Sequence, residues 1–147
     1  MWYPDVTVAA ICENDGRFLL VEERSKSTQK IVFNQPAGHL EDNETILEGV
    51  IRETREETCR HFTPQALVGL YRQRLDNNKT YIRYTFCGEI SDVDKQLTLD
   101  PDITATHWLS LDELRAHTAL RSPVVMQCVN DYLSGHRYPL ELLRELK

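Results

Sequence analysis

The most constraining stretch of the 147-residue chain is ETILEGVIRETREET, residues 44–58. Leu47, Val50, Ile51, Thr54 and Thr58 recur in it at three- and four-residue steps. That spacing puts them on one face of a helix. A helix with an apolar stripe has to lie on something, and strand patterns stand on both sides of it. VTVAAICE and GRFLLVEE are β-branched and apolar runs separated by NDG, a strong hairpin-turn signal. IVFNQPAG reads as a short strand stopped by Pro36 and Gly38, which together make a turn. QALVGLYRQRL and TYIRYTFCGEI read as two strands joined by the polar turn DNNK, and THWLSL as another. SLDEL opens a helix, with Ser110 as N-cap and Glu113 three residues on. SPVVMQCVNDYLSG carries N-cap Ser122, first-turn Pro123 and terminal Gly135, the marks of a complete helix. The expected class is α+β, a mixed sheet packed between helices.

The helix carries more acid than packing needs. At about 100° per residue, Glu53, Glu56 and Glu57 fall within roughly a 100° arc beside the apolar stripe. Like charges at these spacings repel by several tenths of a kcal/mol per pair. Glu56 and Glu57 also sit near the helix C-terminus, where the macrodipole disfavours anions. A bound cation removes the conflict, because hard divalent ions take oxygen ligands. The plainer reading is a solvated acidic face, with Arg52 and Glu56 an ordinary i,i+4 pair.

Composition narrows the partners. With 41% hydrophobic and 27% charged residues, the chain suits one core, a single domain over residues 1–147. Its net charge of -6 argues against nucleic acid or an anionic membrane as partner. Cys12, Cys59, Cys87 and Cys128 lie far apart with no Cys-x-x-Cys pair, so free thiols in a reducing compartment are expected. No apolar run approaches the roughly 20 residues of a membrane span. The N-terminal MWYPDVTV has no basic segment followed by a long apolar one, so a cytoplasmic protein is expected.

Gly38, Glu44, Arg52, Glu53, Glu56 and Glu57 also match a longer spacing: Gly, five residues, Glu, seven residues, Arg-Glu, two residues, Glu-Glu. Six specified residues at roughly one in twenty each make a chance match about 10⁻⁸ per start. In this spacing the chain resembles the Nudix hydrolases. NQPAGHLE, KTYIRYTF, RSPVV and SGHRYPLE resemble more closely the bacterial NudJ-type phosphatases within that family. Three positions depart from the family pattern: Thr54 replaces an aliphatic, Cys59 the terminal glycine and Arg60 the aliphatic after it. Glycine there normally supplies the left-handed residue that closes the helix. Either Cys59 takes that strained conformation, or the helix runs on towards Pro64.

The resemblance implies a Nudix fold and water attack on a diphosphate phosphorus, with Mg²⁺ as cofactor and Mn²⁺ a possible substitute. It implies metal ligation by Glu53, Glu56, Glu57 and the backbone carbonyl of Gly38. Arg52 then orients the carboxylates, and Glu44 assists it or favours the helix N-terminus. A further carboxylate is expected about six residues before Trp108, at Asp102, with Asp100 as neighbour. Either is equally readable as a turn aspartate. Glu53, Glu56 and Asp102 are all candidate bases. His39, Lys79 and Arg83 are candidate phosphate contacts, against a reading as loop or solvent-facing groups. The implied partner is a small diphosphate substrate: a nucleoside tri- or diphosphate, thiamine diphosphate or its hydroxymethylpyrimidine precursor. The implied assembly is a monomer or homodimer. The alternative is a non-catalytic ligand-binding domain of the same fold.

Overall fold

The computed structural model describes residues 1–146. Eight strands and three helices follow in the order β1 (Asp5–Ile11), β2 (Glu13–Asn14), β3 (Arg17–Arg24), β4 (Ile31–Asn34), β5 (Ala37–His39), α1 (Ile46–Thr58), β6 (Phe62–Arg74), β7 (Thr80–Ile90), β8 (Ile103–Ser110), α2 (Leu111–Ala116) and α3 (Pro123–Leu133). One sheet has the order β5-β1-β7-β6, with β1 parallel to β7 and its other pairs antiparallel. The second is built on β3, which pairs with β2, β4 and β8. Val50 of α1 packs with Val8, Ala10, Leu19, Leu67 and Phe86 in one core. Val125, Cys128 and Val129 of α3 and Leu114 of α2 pack with Ile11, Phe18, Leu20 and Val68 in another. Each such fully buried aliphatic contributes about 1.5–3 kcal/mol. Helices on both sides of mixed sheets are the expected α+β arrangement.

The N-terminal turn corrects one expectation in part. Asp15 and Gly16 are both left-handed, as a tight hairpin turn requires. The hairpin they close is only two residues deep, pairing Glu13 with Phe18 and Asn14 with Arg17. Beyond it the chain changes sheets: β1 lies beside β7, and β3 beside β8 and β4. Periodicity gives no signal for a parallel partner so distant in sequence.

Helix α1 starts at N-cap Thr45 through a capping box. Thr45 Oγ1 accepts from Glu48 N–H at 3.1 Å, and Glu48 Oε1 accepts from Thr45 N–H at 2.8 Å. Thr54, at an aliphatic position of the family pattern, is fully buried without an orphaned hydroxyl, because Oγ1 donates to the Val50 carbonyl at 2.8 Å. The helix ends at Cys59, with φ 58° and ψ 30°. Of the two expected endings, the strained left-handed one is found. The buried thiol gives apolar contact against the steric penalty on its Cβ. Cys59→Gly is therefore expected to be more stable than Cys59→Ala by about 1 kcal/mol, since both lose the thiol and only alanine keeps the strain. Denaturant midpoints of the two variants check this, and equal midpoints would refute the strain. Both should retain activity.

Candidate active site

The charged face of α1 is organised by Arg52. Its Nε donates to Glu44 Oε2 at 2.8 Å and its Nη2 to Glu44 Oε1 at 2.7 Å, a two-pronged fork. Nη1 reaches Glu53 Oε1 at 2.8 Å and Glu56 Oε1 at 3.1 Å, and Nη2 also reaches the His39 carbonyl at 3.0 Å. The bonds from Arg52 hold the Glu44 carboxyl below the usual carboxylate range. With Glu41 Oε1 also 3.2 Å from Nε, one guanidinium thus holds two acids of α1, two acids ahead of it and the end of β5.

The β5 edge supplies the other wall. Ala10 N–H donates to Pro36 carbonyl and Leu40 N–H to Val6 carbonyl, so the even residues 36–40 turn their backbone groups towards β1. Ala37 and His39 turn theirs towards α1. Ala37 N–H donates to Glu57 Oε1 at 2.9 Å, and the His39 carbonyl accepts from Arg52. Gly38 is therefore inside a strand, not in the turn expected for it, and the carbonyl facing the helix here is that of Ala37. The glycine is needed for another reason: a Cβ at Gly38 would occupy the place of the Glu53 carboxylate. Gly38→Ala is expected to displace Glu53 and lower kcat/KM about ten- to a hundredfold with the fold kept. Unchanged activity would show that the close approach is not needed.

Burial raises the pKa of Glu53 against the opposing pull of Arg52, and raises that of Glu57 strongly against its bond from Ala37. Two further acids act on this pair. Glu23, at the end of β3, is itself raised by burial, and Glu23 and Asp100 both push Glu57 upward. Asp100 is held against the helix by its own N–H, which donates to the Glu56 carbonyl at 2.9 Å. Asp102 lies at the margin, 56% exposed, with Oδ2 3.5 Å from Lys26 Nζ. Asp100 acts on Glu53 and Glu57 in the direction of their burial, and its Oδ1 also accepts from Asp102 N–H at 2.9 Å, as a turn aspartate does. Glu23 had no signal in the spacing motif. An acid ending the apolar run RFLLV was the only hint.

Among the candidate phosphate contacts, Arg83 faces Asn34, Gln35 and Thr85 and is buried. Burial lowers its pKa. His39 is exposed, in register across β1 with Arg83 through their common partner Thr7. Lys79 lies in the exposed turn between β6 and β7, outside the ladder that carries His39 and Arg83. Trp108 and Tyr84 pack against the α1-side core and Phe33 against the α3-side core.

The donor set is oxygen only, the chemistry of Mg²⁺ or Mn²⁺. Among the described residues no three such groups converge closely enough to grip an ion as they stand. Arg52 draws Glu53 and Glu56 to itself, and Ala37 holds Glu57. Buried, mutually repelling carboxylates beside a strand carbonyl nevertheless fit a divalent cation, which offsets the charge that burial penalises.

Fold and acidic helix together define a hydrolase of the Nudix class. Residues 2–128 match the NUDIX domain family, and the chain belongs to it. It is 37% identical to Phosphatase NudJ of Escherichia coli (strain K12), over 97% of this chain and 92% of that protein. A NUDIX hydrolase from Nitrosomonas europaea superposes with a TM-score of 0.94 at 45% identity, covering 98% of each chain. A UDP-X diphosphatase, 18% identical with a TM-score of 0.75 over 95% of this chain and 67% of that one, shares the fold. The protein is an enzyme acting on pyrophosphate bonds.

Proposed function

We propose that this enzyme hydrolyses a phosphoanhydride of small diphosphate or triphosphate substrates in a Mg²⁺-dependent reaction, with Mn²⁺ able to substitute. Nudix hydrolases in general use divalent metals. The observation that carries the reading is the seating of Glu53 and Glu57 against the β5 edge, where Gly38 leaves room for one and Ala37 N–H holds the other. Glu53, Glu56 and Glu57 are the proposed metal ligands, with the Ala37 carbonyl in the role first expected of Gly38. Asp100 joins them in preference to Asp102. A bound divalent cation supplies polarisation of the phosphoryl oxygens and a more acidic water. Arg52 keeps the carboxylates oriented. Glu56, more exposed than Glu53 and open to solvent, is the proposed base for the attacking water. Arg83 and His39 receive phosphate oxygens, and Lys79, further out, attracts the anion. Single-domain organisation and a cytoplasmic setting are part of the same reading, supported by four free, buried cysteines.

Nucleoside tri- and diphosphates, thiamine diphosphate and its pyrimidine precursor are the proposed substrates, on the likeness to Phosphatase NudJ. The test is release of phosphate and pyrophosphate from GTP, thiamine diphosphate and an ADP-sugar, with and without Mg²⁺. Mg²⁺-dependent turnover of at least one is expected, and no turnover of any would sink the proposal.

A further inference from the structure

Two of the three departures from the family pattern, Cys59 and Arg60, stand where α1 hands over to β6. They meet the connection between β7 and β8, residues 91–102, on which Asp100 lies. No residue of that connection is buried, and Val93 and Leu99 are exposed. It has no core of its own, so its place depends on polar contacts. The end of α1 supplies them. Asp94 N–H donates to the Cys59 carbonyl at 2.7 Å and Asp100 N–H to the Glu56 carbonyl at 2.9 Å, two carbonyls that the helix itself leaves unbonded. Ser91 N–H donates to the His61 carbonyl at 3.0 Å and His61 N–H to Ser91 Oγ at 2.8 Å. His61 Nε2 lies 2.9 Å from Asp94 Oδ2.

Arg60 ties the start of this connection to the strand that follows it. Its Nη1 donates to the Ser91 carbonyl at 2.9 Å, and its guanidinium carbon lies 5.5 Å from the centre of the Trp108 ring on β8. Its Nε is buried and among the described residues has no hydrogen-bond partner. A buried N–H left in that state counts against stability. An aliphatic side chain, the residue of the family pattern here, would cover Trp108 without that cost. It could not bond Ser91. Packing alone therefore does not account for an arginine at this place, whereas the fastening of an otherwise uncovered connection does.

We propose that Arg60 is a positioning residue for the reaction: it seats residues 91–102 against the end of α1 and so fixes Asp100 beside the carboxylates of that helix. This rests on the reading of Asp100 as a ligand of the divalent cation. Arg60 touches neither metal nor substrate in this role and acts through Asp100.

The test is calorimetric binding of Mn²⁺, without substrate, to the wild type, Arg60→Met, Asp100→Asn and the double variant. Methionine keeps the cover on Trp108 and loses the bond to Ser91. Arg60→Met is expected to weaken Mn²⁺ binding about tenfold, the scale of a group that orients a metal ligand, and Asp100→Asn at least as much. The double variant is expected to bind no more weakly than Asp100→Asn alone, because both changes act through one group. A purely structural loss would instead add to the effect of Asp100→Asn. Arg60→Lys keeps the charge and a donor for Ser91, and is expected to stay within about threefold of the wild type. His61→Ala removes an exposed contact of the same connection and is expected to weaken Mn²⁺ by about threefold. It carries the test if Arg60→Met folds poorly. Wild-type affinity in Arg60→Met or in His61→Ala, or additive effects in the double variant, overturns the proposal. Unchanged affinity in Asp100→Asn overturns it as well, by removing Asp100 from the ligands. Failure of the hydrolase reading shows separately, as absence of wild-type turnover in the assay above.

Discussion

Glu57→Gln is expected to lower kcat/KM by about a hundred- to a thousandfold, the loss of several kcal/mol of transition-state stabilisation. The metal-free variant is expected to be at least as stable as the wild type at neutral pH. Both effects follow from one placement. Glu57 is buried, raised in pKa by that burial, and beside Glu23, Glu53 and Asp100. In the unfolded chain its carboxyl ionises near pH 4.3. In the folded chain it keeps its proton to higher pH, so its contribution favours folding below that value and is lost as pH rises through the folded one. Glutamine cannot ionise and still offers an oxygen to Ala37 N–H. Urea midpoints without metal should therefore fall less with rising pH in the variant. Mg²⁺ should stabilise the wild type more strongly than the variant, because it binds the folded state alone. A variant retaining wild-type activity would remove Glu57 from the proposed ligands.

Arg52→Met should have the largest effect on stability. It removes the partner of Glu44, Glu53 and Glu56 at once and leaves two mostly buried acids uncompensated. Breaking a buried pair costs about 3–5 kcal/mol, and partial exposure brings that to roughly 2–3. For a domain of this size the melting temperature should drop by about 5–10 °C. Arg52 lowers the Glu44 pKa, so this stability is present above the ordinary carboxylate value and is lost as pH falls through the folded one. The gap between variant and wild type should close in acid. Arg52→Lys should rescue little, since a point charge cannot bridge Glu44, Glu53, Glu56 and the His39 carbonyl together. An unchanged melting temperature in the methionine variant would show that these contacts add nothing.

Much of α1 was legible before any coordinates. Its stripe of Leu47, Val50 and Ile51 faces the core, and its motif acids lie where helical spacing puts them. The capping box at Ser110 and Glu113 and the first-turn Pro123 were equally readable, since they depend on neighbours in sequence. What was not legible depends on distant pairing. The parallel partner of β1 is some 76 residues away by register, Asp5 to Tyr81. Gly38 looked like a turn residue because Pro36 stands two residues before it, but β1 draws it into a strand. That changes which carbonyl faces the helix. Sequence distance from Trp108 favours Asp102 and gives no sign that the Asp100 backbone bonds to the Glu56 carbonyl of α1. Glu23 and Arg121 meet only when β3 and the α2–α3 segment come together.

The open side of β5 has a consequence unrelated to catalysis. β5 is a border strand, and an unpaired border invites a second chain to add itself by backbone bonding. Here the Ala37 donor is taken by Glu57 and the His39 acceptor by Arg52. The side chains proposed for the reaction thus also close the sheet to intruders. Replacing them exposes a strand border that the helix had plugged, so self-association is a second route by which such variants lose function.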